Sequence, residues 1–99
     1  MYGTVAHVKV KPGKVDDFIA FSRDFADQSR PKGYIGEYIY QMDKNPNELI
    51  MAVLFQDKES YLANAQDPEM DKQYRQYREF LEADPVWHDG EVIYSFQAS

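Results

Sequence analysis

Apolar and polar positions along this chain follow two periods, and the switches between them divide it into strands and helices. Residues 2–10, Tyr-Gly-Thr-Val-Ala-His-Val-Lys-Val, are rich in β-branched and aromatic types and stop at Pro12-Gly13, which predicts a first strand and its turn. From Lys14 to about Gln28 the apolar residues Val15, Phe18, Ile19, Phe21, Phe25 and Ala26 recur at helical spacing and define one broad helical face. Ser29-Arg30-Pro31-Lys32-Gly33 ends that helix. Residues 34–42 read as a second strand, with Tyr34, Tyr38 and Tyr40 on one side and Ile35 and Ile39 on the other. Asp43-Lys44-Asn45-Pro46-Asn47 is turn chemistry, so the strand that follows it pairs back as an antiparallel hairpin.

That third strand, Leu49-Ile50-Met51-Ala52-Val53-Leu54-Phe55, has no polar member. A strand with one face on helices and one in water alternates, whereas an unbroken apolar run implies cover on both faces. So short a chain has too little helix for two covering layers. The expectation is a homodimer joined through its sheet faces.

Asp57 is a good N-cap for a short helix from Lys58 to about Ala65, and Asp67-Pro68 opens another with proline at its first position. The stripe Met70, Tyr74, Tyr77, Leu81 marks its buried side, Arg75, Arg78 and Glu79 project outward, and Asp84-Pro85 closes it. Asp89-Gly90 reads as a turn into a last strand from Glu91 to Gln97, with Val92, Tyr94 and Phe96 on one face. The order β-α-β-β-α-β predicts an α+β, ferredoxin-like domain over residues 1–99, a four-stranded antiparallel sheet with helices on one face.

Charge narrows the function. With 11 basic and 17 acidic side chains the net charge is −6, which opposes binding to a phosphate backbone. RNA-recognition modules of this fold carry a basic, glycine-containing signature on the third strand, and residues 49–55 have neither charge nor glycine. Absence of cysteine removes disulfides, thiolate nucleophiles and cysteine-held metals. Neither an amino-terminal leader nor a transmembrane-length apolar run stands out, and the reading is a cytoplasmic protein without nucleic-acid or membrane partners. The two histidines have no i, i+4 pairing, so no metal site is expected, and no glycine loop or dinucleotide fingerprint supports a nucleotide, flavin or nicotinamide cofactor.

Three stretches together carry a resemblance: Lys11-Pro12-Gly13-Lys14, Gly33-Tyr34-Ile35-Gly36 and Phe55-Gln56-Asp57-Lys58-Glu59-Ser60-Tyr61. The chain resembles the antibiotic biosynthesis monooxygenase domain family within the dimeric α/β-barrel superfamily, over nearly its whole length. That superfamily includes cofactor-free oxygenases, haem-degrading enzymes, isomerases and proteins of no known activity, so the fold does not name the reaction. The cofactor-free, quinone-forming members resemble the pattern Asn-x-x-x-Trp near the end of strand three, followed by a tyrosine in the next helix. The matching positions here look like Met51, Phe55 and Tyr61, of which the tyrosine alone is kept. The haem-degrading branch is similar to Asn on strand one, Trp on the short helix and a His iron ligand on the next, where this chain has Ala6, Asn64 and Tyr74. The resemblance thus implies an oxygenase that uses no cofactor, with a small phenolic or quinol-like substrate and dioxygen as reactants.

Such a reaction needs aromatic walls and a few hydrogen-bond donors around an electron-rich substrate. Tyr61 and Tyr74 are the candidate catalytic residues, and Met51, Phe55, Asn64, Trp87 and His88 the candidate substrate-binding residues. The plain structural account stands beside each: Tyr61, Tyr74 and Tyr77 as core packing, Trp87 covering an edge, His88 in solvent. A buried tyrosine hydroxyl requires a partner, and Asn64 is one candidate for Tyr74. His88 beside Asp89 has the composition of a general base, but neighbours on an extended segment point to opposite sides. His7 falls on the dimer side of strand one if Ala6, Val8 and Val10 pack on the helices. Asp16, Asp17, Asp24 and Asp27 read as a solvated helix face. Two other functions remain open: a non-catalytic ligand-binding or regulatory dimer, and an isomerase or lyase using His88 as base.

Overall fold

The structure, a computed structural model, describes residues 1–28 and 30–98. Strands β1 (Tyr2–Lys9), β2 (Tyr34–Gln41), β3 (Glu48–Phe55) and β4 (Val86–Glu91) form one antiparallel sheet in the order β2-β3-β1-β4. Helices α1 (Val15–Gln28), α2 (Lys58–Ala65) and α3 (Pro68–Arg78) complete it. Because β1 and β2 both run antiparallel to β3, they are parallel to each other with β3 between them, the split β-α-β of the ferredoxin-like fold.

Side-chain alternation decides what each sheet face does. Thr4, Ala6 and Val8 of β1 and Leu49, Met51 and Phe55 of β3 are buried against the helices. Phe18 of α1 is fully buried among them, its ring 4.7 Å from that of Tyr77 on α3. Asp57 caps α2 by accepting from the Ser60 amide at 2.8 Å, and Asp67 caps α3 through Glu69 at 2.9 Å. Gly33 enters β2 at φ +82°, where a side chain would also collide with Ser60 of α2. The expected termination of α1 involves Ser29, which lies outside the described residues.

On the opposite face, the open face, no helix packs among the described residues. Val5, His7, Tyr38, Tyr40, Val86 and His88 are exposed there, while Ile50, Ala52 and Leu54 are half-covered by their neighbours. The apolar run on strand three therefore has one face inside its own core and one on an apolar surface. His7 stands on the side read for it from the alternation of β1.

Four expectations need correction. Strand two does not keep one parity: a bulge between Tyr34 and Gly36 turns Tyr34 toward the helices with Glu37 and Ile39, and leaves Tyr38 and Tyr40 on the open face. Helix α3 stops at Arg78 rather than at Asp84-Pro85, because the chain beyond it pairs with the continuation of β1. The Lys11 amide donates to the Phe80 carbonyl and the Glu82 amide to the Lys9 carbonyl, each at 2.9 Å, on either side of a Val10–Leu81 bridge. Arg78 folds back rather than outward, onto the Leu81 carbonyl and the Asp84 carboxylate.

The last strand is Val86–Glu91, not Glu91–Gln97. Asp89-Gly90 continues the strand because pairing along the edge of β1 satisfies backbone groups that a turn would leave to solvent. Glu91 lies opposite Tyr2, where β1 begins, so the chain beyond it has no strand to pair with apart from the Val92 amide donating to the Met1 carbonyl. Ile93, Tyr94 and Phe96 are 94%, 80% and 76% exposed.

Candidate active site

A cavity of about 430 Å³ lies between the sheet and the three helices, large enough for a small aromatic molecule. Its floor is built by inward positions of all four strands: Thr4 from β1, Tyr34 and Glu37 from β2, Met51, Val53 and Phe55 from β3, Trp87 and Asp89 from β4. Phe21, Ser22 and Phe25 of α1, Tyr61, Leu62, Asn64 and Ala65 of α2, and Met70, Gln73, Tyr74 and Tyr77 of α3 close the other sides. Phe55 anchors one end, with the rings of Tyr34 and Tyr61 each 5.6 Å away and edge-on to it. Tyr74 and Tyr77 lie nearly parallel at 6.3 Å on the opposite wall.

Two tyrosine–carboxylate pairs supply the polar chemistry. The Tyr61 hydroxyl donates to Asp89 Oδ1 at 2.7 Å, and Tyr34 shares the helix-facing side of β2 with Glu37. Burial, and next the Asp89 carboxylate it donates to, push the Tyr61 phenol up to about 12. Burial and then the charge of Glu37 push Tyr34 up to about 12. Burial also raises Tyr77, with Glu37 second, and raises Tyr74, with Asp84 second. These phenols therefore stay protonated at neutral pH and act as donors rather than bases. Glu37 is raised by burial, which the Tyr34 hydroxyl partly offsets. The Tyr77 hydroxyl lies 2.7 Å from the Met51 sulfur, a weak acceptor. Thr4 Oγ1 and Asn64 Oδ1 are buried with no hydrogen-bond partner among the described residues. Both residues line the cavity, Thr4 from its floor and Asn64 from α2, and an unpaired buried oxygen is a place for a ligand donor.

Six of the seven residues singled out from sequence line this cavity: Met51, Phe55, Tyr61, Asn64, Tyr74 and Trp87. His88 does not. It pairs with Val5 on β1 and faces the open side of the sheet, while its neighbour Asp89 points into the cavity, so strand alternation separates the two. The Asn64 carbonyl oxygen makes no bond to Tyr74. Sequence reasoning passed over Glu37, Asp89, Thr4 and Tyr34. Glu37 carried a signal, since it shares parity with Ile35 and Ile39 and is a charge on the side read as apolar. Asp89 was hidden by its reading as a turn residue.

The sequence profile of antibiotic biosynthesis monooxygenases matches residues 1–76, which takes in β1 through most of α3. The chain belongs to that family. Solved structures of the same fold include a conserved protein from Methanosarcina mazei Go1, 22% identical, covering 90% of this chain and 89% of its own, with a TM-score of 0.76. An antibiotic biosynthesis monooxygenase structure, 12% identical, covers 94% of this chain and 99% of its own at a TM-score of 0.73. A variant of SnoaB, a cofactor-independent oxygenase from Streptomyces nogalater, is 11% identical, covering 98% and 97% of the two chains with a TM-score of 0.80. At such identities these likenesses establish the fold. No curated protein matches the chain. Met51 and Phe55 both face the cavity, so a thioether and a phenyl ring form part of its wall.

Proposed function

We propose that this protein is a small monooxygenase that acts, without a bound cofactor, on a phenolic or quinol-like compound held between the sheet and the helices. The observation that carries the reading is an aromatic-walled cavity in which Thr4 Oγ1 and Asn64 Oδ1 are buried and unpaired. An electron-rich phenolate can pass an electron directly to dioxygen. One oxygen atom then enters an open ring carbon and the other leaves as water, so a phenol and dioxygen give a quinone and water without an added reductant. The chain's part is to orient the ring and exclude water. Tyr61, held by Asp89, and Tyr74 contact the substrate oxygens, while Met51, Phe55, Asn64 and Trp87 shape the wall. The working unit is a cytoplasmic homodimer joined through the open face, where Val5, Tyr38, Tyr40 and Val86 are 48%, 61%, 58% and 55% exposed.

The test is oxygen consumption over a panel of naphthols and hydroquinones, repeated with Tyr61→Phe. Turnover reduced by about tenfold or more in the variant supports the assignment. No turnover on any member, or turnover indifferent to the substitution, overturns it. A second reading, a non-catalytic ligand-binding dimer, is favoured by Met51 and Phe55 at the positions of the amide and indole, and it predicts tight binding of the same compounds without oxygen uptake. An isomerase using His88 as base lacks the required geometry, since His88 faces away from the cavity.

A further inference from the structure

Glu37 is a charged residue on the helix-facing side of β2, opposite Val53 of β3, in a wall made mostly of rings and aliphatic side chains. The bulge between Tyr34 and Gly36 is what brings Tyr34 and Glu37 onto one face, so their contact is produced by an irregularity of the strand. A carboxylate has about four acceptor positions. Tyr34 lies beside Glu37 on the same face of β2, and Glu37 keeps acceptor positions for a donor inside the cavity. Asp89, the other carboxylate of the wall, is already bonded to Tyr61.

No lysine, arginine or histidine lines the cavity among the described residues. Arg30, the cation whose charge acts on Tyr34, is exposed and donates to the Ala26 carbonyl at 3.2 Å. The field at the wall is therefore set by two carboxylates, in surroundings where burial weakens screening. Thr4, only 6% exposed and with an unpartnered hydroxyl at the same cavity, marks the space as a place for a polar ligand group independently of the acids.

We infer that Glu37 selects the ligand of this cavity: its carboxylate accepts a hydrogen bond from a hydroxyl on an aromatic ring and, with Asp89, excludes aromatic compounds that carry a carboxylate. The inference shares with the proposed function the premise that the cavity is the ligand site, and it adds the charge class of the ligand and the residue that sets it. Acceptance of a hydroxyl and rejection of an anion follow from the same oxygen atoms. A hydroxyl offers hydrogen to an acceptor-only group, whereas a carboxylate offers none and brings like charge. Trimming the hydroxyl to an ether removes the donor and leaves the acceptor unpaired, a mismatch that binding sites penalise strongly.

The experiment measures binding of three ligands of one ring size, 2-naphthol, 2-methoxynaphthalene and 2-naphthoate, by calorimetry or ligand fluorescence at neutral pH. It uses the wild-type protein and Glu37→Gln, with the far-UV spectrum as a check on folding. The wild type is expected to bind the naphthol at least about tenfold more tightly than the naphthoate and several-fold more tightly than the ether. In Glu37→Gln, which keeps the shape and removes the charge, the naphthol-to-naphthoate ratio falls to about threefold or less. Equal binding of naphthol and naphthoate by the wild type overturns the inference without any variant. An unchanged ratio in folded Glu37→Gln overturns the role of Glu37. Failure of all three to bind overturns the cavity as a ligand site. The expected selectivity without oxygen uptake supports the inference while removing the oxygenase reading.

Discussion

The two faces of this one sheet are built from strands of similar hydrophobicity and end in opposite states. On the helix side, Ala6, Val8, Leu49, Met51 and Phe55 are no more than 5% exposed, and Met51 and Phe55 line a cavity that also has two carboxylates and two unpaired oxygens among its residues. On the open side, Val5, Tyr38, Tyr40 and Val86 keep about half their surface in solvent. The difference separates two uses of apolar surface. One face packs its own chain and leaves room for a small molecule, and the other presents apolar side chains to solvent. The exposed Ile93, Tyr94 and Phe96 at the end of the chain add to the apolar area that its own fold leaves uncovered.

Substitutions can break this comparison in graded ways. The largest effect is expected on the helix side: Phe18→Ala removes a fully buried ring from the centre of the core, and urea denaturation should show a loss of about 3–5 kcal/mol. A loss below about 1 kcal/mol would mean that the core does not hang on this residue. Next is the open face. Val5→Glu leaves the core untouched, and if a second copy covers Val5 it places an unpaired charge in the interface. Sedimentation should then show association weakened by about 100-fold or more, with the thermal transition of the monomer little changed. An unchanged dimer would remove the open face as the contact.

Smaller effects sharpen the contrast. Tyr61→Phe deletes the hydroxyl bonded to Asp89 and should cost about 1 kcal/mol of stability in denaturant titration, well below Phe18→Ala. His88→Ala, on the face away from the cavity, should leave naphthol binding within about twofold of wild type, and a larger change would mean that the two faces communicate. The smallest effect is a slope. Glu37 is raised in the folded protein from its ordinary 4.5, so the native state holds its proton more tightly than the unfolded chain does. Stability is therefore lost as pH rises from the unfolded carboxylate value through the folded one. Replacement by glutamine removes that loss. Glu37→Gln and wild type should converge in stability at acid pH, with the variant gaining relative to wild type toward neutrality. A wild type that gains on the variant over that interval would contradict burial as the dominant influence on Glu37.

Much of this site was legible because it rests on parity within strands and spacing within helices. Met51 and Phe55 share the inward parity of β3, and Tyr74 and Tyr77 the inward stripe of α3, so their meeting follows from local periodicity. Tyr61 and Asn64 sit one turn apart on a helix whose N-cap was readable at Asp57. The misses have a different origin. Tyr34 and Glu37 meet through a bulge, and one inserted residue reverses parity with no compositional mark. Asp89 was misplaced because Asp-Gly is common in hairpin turns, and here the free edge of β1 was the stronger influence.

By itself the sequence determined the order of elements, the ferredoxin-like class, the alternation along β1, and the apolar excess on a sheet this small. These rest on interactions between residues close along the chain, whose periods can be counted. Tertiary structure decided where α3 stops, which residues form β4, which side of β2 carries an acid, and that His88 and Asp89 part to opposite faces. Each of those depends on pairing with β1 or β3, remote in sequence, whose open hydrogen-bonding edges outweigh the local turn and helix preferences of the segments that meet them.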